Sequence, residues 1–575
     1  MSRDLFSPSL FKPRFGRDGS APADLVVLSA RIVTCDADNP RAEALAVNDE
    51  RITYVGDNRG AKEYIGPDST VINARRRTLT PGFIDSHCHV LWIGAMLALM
   101  TTDLYECDSV DEVKSVMLDY AGKNTDLPFV MGLGWRYDYI PGALPDKELL
   151  DSFRIDRPVI LWSYGGQSGW LNTVALELMA ERNLTALERL VPAVDEKTGE
   201  RTGLLLHFHS FNPLEFFTSD ELGPDIRNRM MDSIQETLDE AVSVGVTTMD
   251  DVQIYRPFIP MIFEFKELGG LDKVRVRCAY YVGPHVLEDE DAFKEEMGWW
   301  KEMGRRSDAR LVLGNSLKFY IDGVLGNYTA FMLEPYPDKP GEYGDPVWTQ
   351  EEFNRVIEII DGLGLQACTH SCGDAGIRRI VNSYEHARLV NGSRDARHRS
   401  EHCGIPRPED VARMGRLGIC VATQPAHFYA MDEAGEKLLG PERINYLMPF
   451  KSFEKEGILL SFGSDWCNSP LNPVYGLLLS ATRMNFRGET DWGPGERIDL
   501  EDAIRHWTID SAKALLMEDD IGSIEVGKYG DFVLFNQDPL KLDSWWFLLT
   551  HELELGALDD FVDMTVVGGD IVYEK

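Results

Sequence analysis

The sequence predicts an α/β protein whose main part is a barrel of eight parallel strands alternating with helices, a (β/α)8 TIM barrel. Three observations support this. From about Phe83 to about Met517, short apolar runs alternate with amphipathic stretches, which is typical of a parallel sheet. Several of these runs end in histidine, lysine or aspartate, where such barrels carry their functional residues. Both ends of the chain are instead β-rich and broken by turn residues.

The order of these patterns divides the chain. Residues 1–22 are proline-containing and without periodicity, and are predicted to be an N-terminal arm. Residues 23–80 and 518–575 are predicted to form one small β-domain from both termini. Residues 81–517 are predicted to form the barrel. Within them, about 107–245 alternate poorly and are rich in Trp, Gly and Pro, which indicates an inserted lobe after the first barrel strand.

Individual barrel elements can be located by their apolar runs. Strands are predicted in VRVRCAYYVG, NSLKFYIDG, LGLQACTHSCG, LGICVATQP and GILLSFGSD. A helix is predicted in EEFNRVIEIIDGLG, where apolar residues recur at helical spacing. Near the C-terminus, Gly568 and Gly569 separate two β-branched runs, which predicts a hairpin.

Composition limits the partners. The chain has 575 residues, with 58 basic and 94 acidic side chains and a formal net charge of -36. Such an acidic chain repels phosphate backbones and anionic membranes, so neither nucleic acid nor a membrane is expected as a partner. The nine cysteines are scattered without a CxxC pair, which favours a reducing compartment. With no secretory signal and no apolar span visible, we expect a cytoplasmic protein.

The strongest local signal is LTPGFIDSHCHV at residues 79–90. Its strand-like run ends in His87, Cys88 and His89. Alternate residues of a strand point to the same side, so the two imidazoles face together. Two imidazoles on one side suit a divalent metal such as zinc. A lone HxH pair is weak support, because two histidines can fall at that spacing in any chain.

Four further strand ends strengthen the metal hypothesis. Lys318 lies inside NSLKFYIDG, His370 ends LQACTH, His402 ends RHRSEH, and Asp465 follows LLSFGS. A buried ionisable group needs a partner, because desolvating an unpaired charge is costly. Any one of these histidines could be a satisfied structural residue. Together, five strand ends that close in His, Lys or Asp predict one shared site.

These motifs resemble the amidohydrolase superfamily, in the branch that includes N-substituted formamide deformylases, amidohydrolase family 3. The resemblance extends from Asp24 to Tyr573, in order and spacing as well as content. It rests on ALAVNDERITYVG, TPGFIDSHCHV, GWLNTVAL, GVTTMDD, KFYIDGVLGNYTA, HSCGDAGI, RHRSEH, TQPAHFYAMD, GSDWCNSPLNP and IGSIEVGKYGDFVLFNQDP. The resemblance implies that the β-domain of residues 23–80 and 518–575 is a β-sandwich.

The resemblance implies a role for each strand-end residue. His87 and His89 are implied to bind the more buried metal. Lys318 falls where many relatives carry a carbamylated lysine that bridges two metals. An unmodified Lys318 would instead neutralise a carboxylate, and the site would then hold one ion. The implied cofactor is thus a divalent metal, one or two ions per chain, with zinc as the default and Mn, Fe or Co also suited to the donor set.

The remaining ligands are implied by strands five, six and eight. His370 and His402 match the histidine ligands of strands five and six. Asp465 matches the strand-eight aspartate, which binds a metal and acts as the general base. Asp465 and Lys318 are therefore the predicted catalytic residues.

The predicted activity is metal-dependent hydrolysis of a C–N bond in a small amide, formamide, carbamate or cyclic amide. A metal-bound hydroxide would attack and an aspartate would serve as general base. Three alternatives stay open. They are an ester hydrolase, a decarboxylase, lyase or isomerase on the same metal site, and a binding protein that kept only the fold. The partner is a small-molecule substrate, and the sequence also permits a homo-oligomer.

The substrate side departs from the relatives' pattern. Gln167 and Ala375 stand where relatives usually have histidine and arginine. Tyr328 replaces a second arginine, and His207 a glutamate. Retained ligands beside altered pocket residues predict a hydrolytic core with a changed substrate. The loss of two cationic residues argues against an anionic carboxylate substrate.

The predicted substrate-binding residues are Trp135, Gln167, Trp170, Tyr328 and His427. For the two tryptophans, ordinary core packing is an equal alternative. His427 could instead belong to the second metal shell.

Two other features have less support as functional groups. His207 and His209 form a second HxH pair without matching partners, which favours a pocket-lining or structural role. Cys372 and Cys467 lie two residues beyond a predicted ligand. Catalysis by a cysteine nucleophile is disfavoured, because neither has an obvious basic or helix N-terminal setting.

Overall fold

Eight parallel strands form one sheet whose spatial order follows the chain. Strands β1 to β8 are Phe83–Cys88, Val246–Ile254, Arg275–Tyr281, Leu311–Tyr320, Gln366–Ser371, Arg399–His402, Cys420–Thr423 and Leu460–Phe462. Each adjacent pair is parallel. The first and last strands of the sheet also meet: Ser86 Oγ in β1 donates a hydrogen bond to Phe462 O in β8 at 2.8 Å, so the sheet closes into a barrel. The predicted barrel is confirmed.

The structure is a computed structural model, and it describes most of the chain. The described residues are 22–99, 102–125, 127–140, 144–164, 168–195, 197–206, 211, 216–217, 219–430, 433–484, 492–542 and 558–575. Within them the chain forms two compact units. The first comprises Met1–Val90, Thr237–Tyr255 and Leu268–Lys575, and the second Leu91–Glu236 and Arg256–Glu267.

Helices follow the barrel strands in the first unit. They are Glu290–Met303, Gln350–Gly362, Asp374–Asn391, Pro408–Leu417, Glu433–Ile444, Phe450–Lys455, Pro473–Thr482, Leu500–His506 and Ile509–Ala514. Helix Gln350–Gly362 confirms the helix predicted in EEFNRVIEIIDGLG. It begins at a capping box, in which Thr349 accepts from the Glu352 N–H and Glu352 accepts from the Thr349 N–H. Its apolar face, including Phe353 and Ile360, is buried, at about 1.5–3 kcal/mol of stabilisation per large side chain.

Two sheets form the β-sandwich, and together they contain strands from both ends of the chain. One contains Leu25–Leu28, Ala44–Asn48, Arg51–Gly56 and Thr70–Asn73. The other contains Arg31–Val33, Arg41–Ala42, Thr78–Pro81, Phe532–Phe535, Val562–Val567 and Asp570–Glu574. Their shared core includes Leu45 and Phe532. The predicted hairpin is confirmed, with Gly568 and Gly569 at φ 61° and 83°, since a tight two-residue turn requires positive φ at both positions.

Most of the second unit, Leu91–Glu236, lies in the sequence between β1 and β2, which confirms an insert after the first barrel strand, and a shorter part, Arg256–Glu267, follows β2. A mixed sheet contains Thr102–Asp103, Val130–Trp135, Val159–Ser163, Gly169–Leu171, Pro192–Val194 and Arg201–Leu205. The helices are Trp92–Leu97, Val110–Lys123, Lys147–Asp151, Thr173–Arg189 and Ile259–Glu267, while Ser219–Ser243 ends the insert before β2. The domain boundaries expected from the sequence stay a prediction. Among the helices of the described residues, none combines the length and the apolar character needed to cross a bilayer.

Candidate metal centre

A buried group of two imidazoles and one carboxylate lies where β1 and β8 end. Oδ1 of Asp465 is 3.2 Å from Nε2 of His89 and 3.4 Å from Nε2 of His87. The three possible ligand atoms lie within 4.8 Å of one another, and all three residues are buried. The group can hold a metal ion.

The end of β8 is fixed against β1 by hydrogen bonds. Asp465 N donates to His87 O at 2.7 Å. Ser464 N and Oγ both donate to the carboxylate of Asp85 in β1, at 2.9 and 2.5 Å. Asp465 and His402 adopt positive φ, 55° and 64°, which is uncommon for residues other than glycine. Such conformations cost about 1–3 kcal/mol each and cluster at functional sites, so surrounding contacts must hold them.

Glu401 sets the orientation of His87. Nδ1–H of His87 donates to Oε2 of Glu401, which turns Nε2 of the same ring toward Oδ1 of Asp465. Burial raises the pKa of Glu401, but the Arg399 guanidinium and His87 lower it by a larger amount. The pKa of Glu401 therefore lies well below its usual value. A carboxylate behind a ligating histidine is the common way to fix its tautomer.

A chain of buried charges supports Glu401 inside the barrel. Arg399 donates to both oxygens of Glu401, at 2.7 and 2.8 Å, and to Asp250 at 2.6 Å. Arg277 donates to Asp250 at 2.8 and 3.0 Å. All four side chains are fully buried, and their signs alternate, so each charge is compensated. The sequence did not predict this series of buried charges. All four residues are nevertheless visible as charged positions within the runs GVTTMDD, VRVRCAYYVG and RHRSEH.

Two more histidines extend the cluster. The ring of His402 lies 4.7 Å from that of His87 and 4.5 Å from that of His370, between centroids. Nε2 of His427 lies 3.3 Å from Oδ2 of Asp465. The ligand atoms of His402, His427 and Asp465 form a second group within 4.8 Å. His370 belongs to neither group, and its Nε2–H donates to the carbonyl of Gly323 at 3.0 Å.

Lys318 lies in the same cluster on β4. Its side chain is fully buried, with Nζ 3.5 Å from Nε2 of His87 and 4.8 Å from the ring centre of Tyr320. Burial lowers the pKa of Lys318, and the opposing effect of Glu401 and Asp465 does not restore it. The structure therefore brings the predicted ligands of β1, β4 and β8 together with His402.

The protonation states fit a divalent cation. Burial lowers the pKa of His89 to about 4 and that of His402 well below its usual value, so both rings are neutral at pH 7. Burial raises the pKa of Asp465, but the imidazoles of His427, His87 and His89 lower it by a larger amount. The pKa of Asp465 therefore lies well below its usual value. Neutral imidazoles beside a carboxylate are the donor set of zinc and similar metals.

The predicted substrate-binding tryptophans lie in the second unit. The indoles of Trp135 and Trp170 are fully buried in its core, with centroids 5.8 Å apart. Their Nε1–H groups donate to the carbonyls of Leu161, at 3.1 Å, and Asp146, at 2.7 Å. Core packing accounts for both side chains, and substrate contact stays a prediction. Gln167, like the His207 and His209 pair, lies outside the described residues.

Tyr328 lies in the segment after β4. Its hydroxyl donates to Asp338 at 2.7 Å, and the ammonium of Lys339 lies 3.3 Å from its ring centre. Ala375, which also stands in the place of an arginine of the relatives, is buried in the first turn of helix Asp374–Asn391. Neither side chain carries the charge of the arginine that it replaces.

The two cysteines beside the site are protonated thiols. Sγ of Cys372 lies 3.6 Å from Nε2 of His370, and burial raises the pKa of Cys372 well above its usual value. The pKa of Cys467 is also raised, to about 11, by desolvation of its thiol and by the charge of Asp465. A nucleophilic cysteine requires a lowered pKa, so both shifts oppose that alternative.

Comparison with known proteins agrees with this geometry. The chain is 29% identical over 541 residues to Protein LONG AFTER FAR-RED 3 of Arabidopsis thaliana, covering 91% of this chain and 88% of that protein. It is 23% identical to N-substituted formamide deformylase of Arthrobacter pascens, covering 96% and 98%. The crystal structure of an uncharacterized metal-dependent hydrolase from Pyrococcus horikoshii OT3 superimposes with a TM-score of 0.69 at 22% identity, covering 90% and 98%. The amidohydrolase family model matches residues 70–573. Because this match spans most of the chain, the protein belongs to the amidohydrolase family, in family 3, and is an enzyme of that group of metal-dependent hydrolases.

Proposed function

We propose that the protein hydrolyses a C–N bond of a small amide, formamide, carbamate or cyclic amide, using a cation held by His87, His89 and Asp465. One observation carries the proposal. A buried carboxylate lies 3.2 and 3.4 Å from the Nε2 atoms of two imidazoles, and the pair ends the first barrel strand. Two imidazoles and one carboxylate are ligands that a divalent cation such as zinc prefers.

The bound cation would lower the pKa of a water molecule and polarise a scissile carbonyl. Asp465 would accept the proton of that water and deliver it to the leaving amine. Its carboxylate is kept anionic by the surrounding imidazoles, and Asn468 Nδ2 donates to its Oδ2 at 3.2 Å. That bond orients the carboxylate for proton transfer.

Lys318 is proposed to be carbamylated. Burial lowers its pKa, which favours the neutral amine that reacts with carbon dioxide. A plain ammonium 3.5 Å from Nε2 of His87 would repel a cation there, whereas a carbamate would attract it. The carbamate would then be an anionic ligand beside His87, as the family resemblance implies for this position.

The substrate class is supported by a relative and by the altered residues. The N-substituted formamide deformylase of Arthrobacter pascens is named for cleavage of a formamide. The replacement of arginine at Tyr328 and Ala375 favours an uncharged substrate.

Zinc is the proposed metal on donor type, and the nine free cysteines accord with the proposed cytoplasmic location. Substrate contacts of Trp135, Gln167 and Trp170 remain part of this proposal.

Solvent-isotope labelling tests the reaction type. The metal-loaded protein would be incubated in 18O-water with a panel of amides, N-substituted formamides, carbamates, cyclic amides and matching esters. We expect a carboxylate product carrying one solvent oxygen, and loss of turnover in Asp465→Asn. An ester turned over faster than its amide would reassign the bond. Turnover without solvent oxygen would contradict hydrolysis and favour a decarboxylase, lyase or isomerase.

A further inference from the structure

The two oxygens of Asp465 face different imidazoles. Oδ1 lies 3.2 Å from Nε2 of His89 and 3.4 Å from Nε2 of His87. Oδ2 lies 3.3 Å from Nε2 of His427. The possible ligand atoms of His402, His427 and Asp465 lie within 4.8 Å, as do those of the β1 pair and Asp465. Asp465 is therefore shared by two groups of ligand atoms.

Gln424, just beyond β7, contacts both histidines of the second group, His427 through its backbone and His402 through its ring. The backbone N–H of His427 donates to the Gln424 carbonyl at 2.9 Å. Nδ1–H of His402 donates to Oε1 of Gln424 at 2.7 Å, so Nε2 of His402 carries the lone pair. The two rings are nearly parallel, with an interplanar angle of 16° and centroids 6.0 Å apart. A hydrogen bond to Nδ1, such as the one that His402 makes with Gln424, is how a protein fixes the tautomer of a ligating histidine.

Nε2 of His427 has the character of an unfilled ligand position. The atom is buried and, although Oδ2 of Asp465 lies 3.3 Å away, no described residue forms a hydrogen bond of good geometry with it. Leaving such a group unsatisfied costs about 1–3 kcal/mol, which a cation between it and Asp465 would offset. His370 differs, because its Nε2–H is directed at the carbonyl of Gly323.

We propose that His402, His427 and Oδ2 of Asp465 form a second divalent-cation site, with Asp465 bridging it to the ion of His87 and His89. The proposal rests on the proposed function, because it adds an ion to the same centre. It differs from the ligand set that the family resemblance implies, which includes Lys318, His370 and His402, because it makes His427 a direct ligand.

The donor set suits zinc or cobalt. Two imidazole nitrogens and one carboxylate oxygen are the donor types that these metals prefer. Each carboxylate oxygen has two acceptor positions. Bridging therefore leaves Asp465 an acceptor position for the proton of the attacking water.

Cobalt titration of the full-length protein tests the site. Co²⁺ alone would be added to chelator-treated protein, with binding followed by calorimetry and by the absorption bands of bound cobalt. We expect two sites in the wild type. In His427→Ala, one should weaken by more than about 100-fold, beyond the usual effect of losing only a supporting hydrogen bond. His89→Ala should weaken the other site. His386→Ala, a ring paired with Glu358 at 3.3 Å outside the cluster, should keep both.

The outcomes separate the two proposals. Unchanged binding in His427→Ala, with one site lost in Lys318→Ala, would overturn the His427 site in favour of a lysine bridge. A single site in the wild type would overturn it too, while the proposed hydrolase would stand. A wild type that binds no cobalt would overturn both. Should His427→Ala unfold by circular dichroism, His427→Gln, which keeps a polar side chain of similar length, replaces it with the same expectation.

Discussion

At the scale of single residues, the centre depends on how one imidazole is oriented. His87 can present Nε2 to a cation because Glu401 holds Nδ1–H, and Arg399 holds both oxygens of Glu401. Neither Glu401 nor Arg399 would itself bind the proposed ion. Glu401 is therefore a positioning residue, and its effect should be seen in metal affinity before it is seen in catalysis.

Glu401→Gln should weaken binding of the first ion by about 10–100-fold, because the amide can still bond His87 but no longer fixes its tautomer by charge. Competition with a coloured chelator at constant pH measures the affinity. Glu409→Gln is the matched control, since Glu409 pairs with Arg378 on the surface, away from the centre. An affinity for metal equal to that of the wild type would show that Glu401 has only a packing role.

The sequence revealed the ligands at this scale but not their support. His87, His89, Lys318 and Asp465 stand out because each ends or interrupts an apolar run. The contact of His87 with Glu401 joins positions 314 residues apart, and no local pattern encodes it. The same holds for His427, whose neighbour Asp465 lies at the end of the following strand.

At the scale of elements, buried ion pairs join strands and helices that the sequence indicates only as apolar or amphipathic. Helices Leu500–His506 and Ile509–Ala514 meet at His506. Its Nδ1 lies 2.9 Å from Oδ2 of Asp510, and its Nε2 lies 3.2 Å from Oε1 of Glu454. Burial lowers the pKa of His506, but Asp510 and Glu454 raise it more, so the pKa is above its usual value.

This raised pKa makes the free energy of unfolding depend on pH. Because the folded pKa of His506 exceeds the unfolded value of about 6.5, its contribution is full below that pH. The contribution is lost as pH rises through the folded pKa. His506→Gln, which cannot titrate, should therefore be less stable than the wild type at pH 6, by a gap that narrows toward pH 9. Urea unfolding of both proteins across this range gives the gap, and a constant difference would contradict the ion-pair account.

Element-level prediction located the strand in VRVRCAYYVG but not the partners of the charges within it. VRVRCAYYVG reads as an apolar strand, yet Arg275 and Arg277 within β3 are fully buried. Arg275 donates to Asp531 at 2.7 and 2.9 Å, and Arg277 donates to Asp250. Strand positions follow from periodicity, whereas the partners that make a buried arginine tolerable lie far away in sequence.

At the scale of the whole molecule, the alternation of apolar runs was sufficient to predict the barrel, the terminal β-sandwich and the insert. Each depends on many residues, so single exceptions do not hide the pattern. The architecture places the ends of β1, β4, β6 and β8 around one centre. Metal binding should therefore be linked to the stability of the barrel.

Metal removal should lower the unfolding temperature. A ligand at 100 times its Kd stabilises the state that binds it by about 2.7 kcal/mol, so chelation should shift the thermal transition of the wild type downward. In His89→Ala the chelator should have little effect. Scanning calorimetry with and without chelator measures both, and equal shifts in the two proteins would mean that the stabilising metal lies elsewhere.

The most direct test of the metal centre is the metal content of the purified protein, by elemental analysis for Zn, Fe, Mn, Co and Ni. Wild type, His89→Ala and Asp465→Ala would be grown with the same added metals. The account predicts at least one ion per chain in the wild type and a clear loss in both variants, since each lacks a ligand of the first ion. A wild-type protein without metal, or variants that retain the full wild-type content, would contradict it.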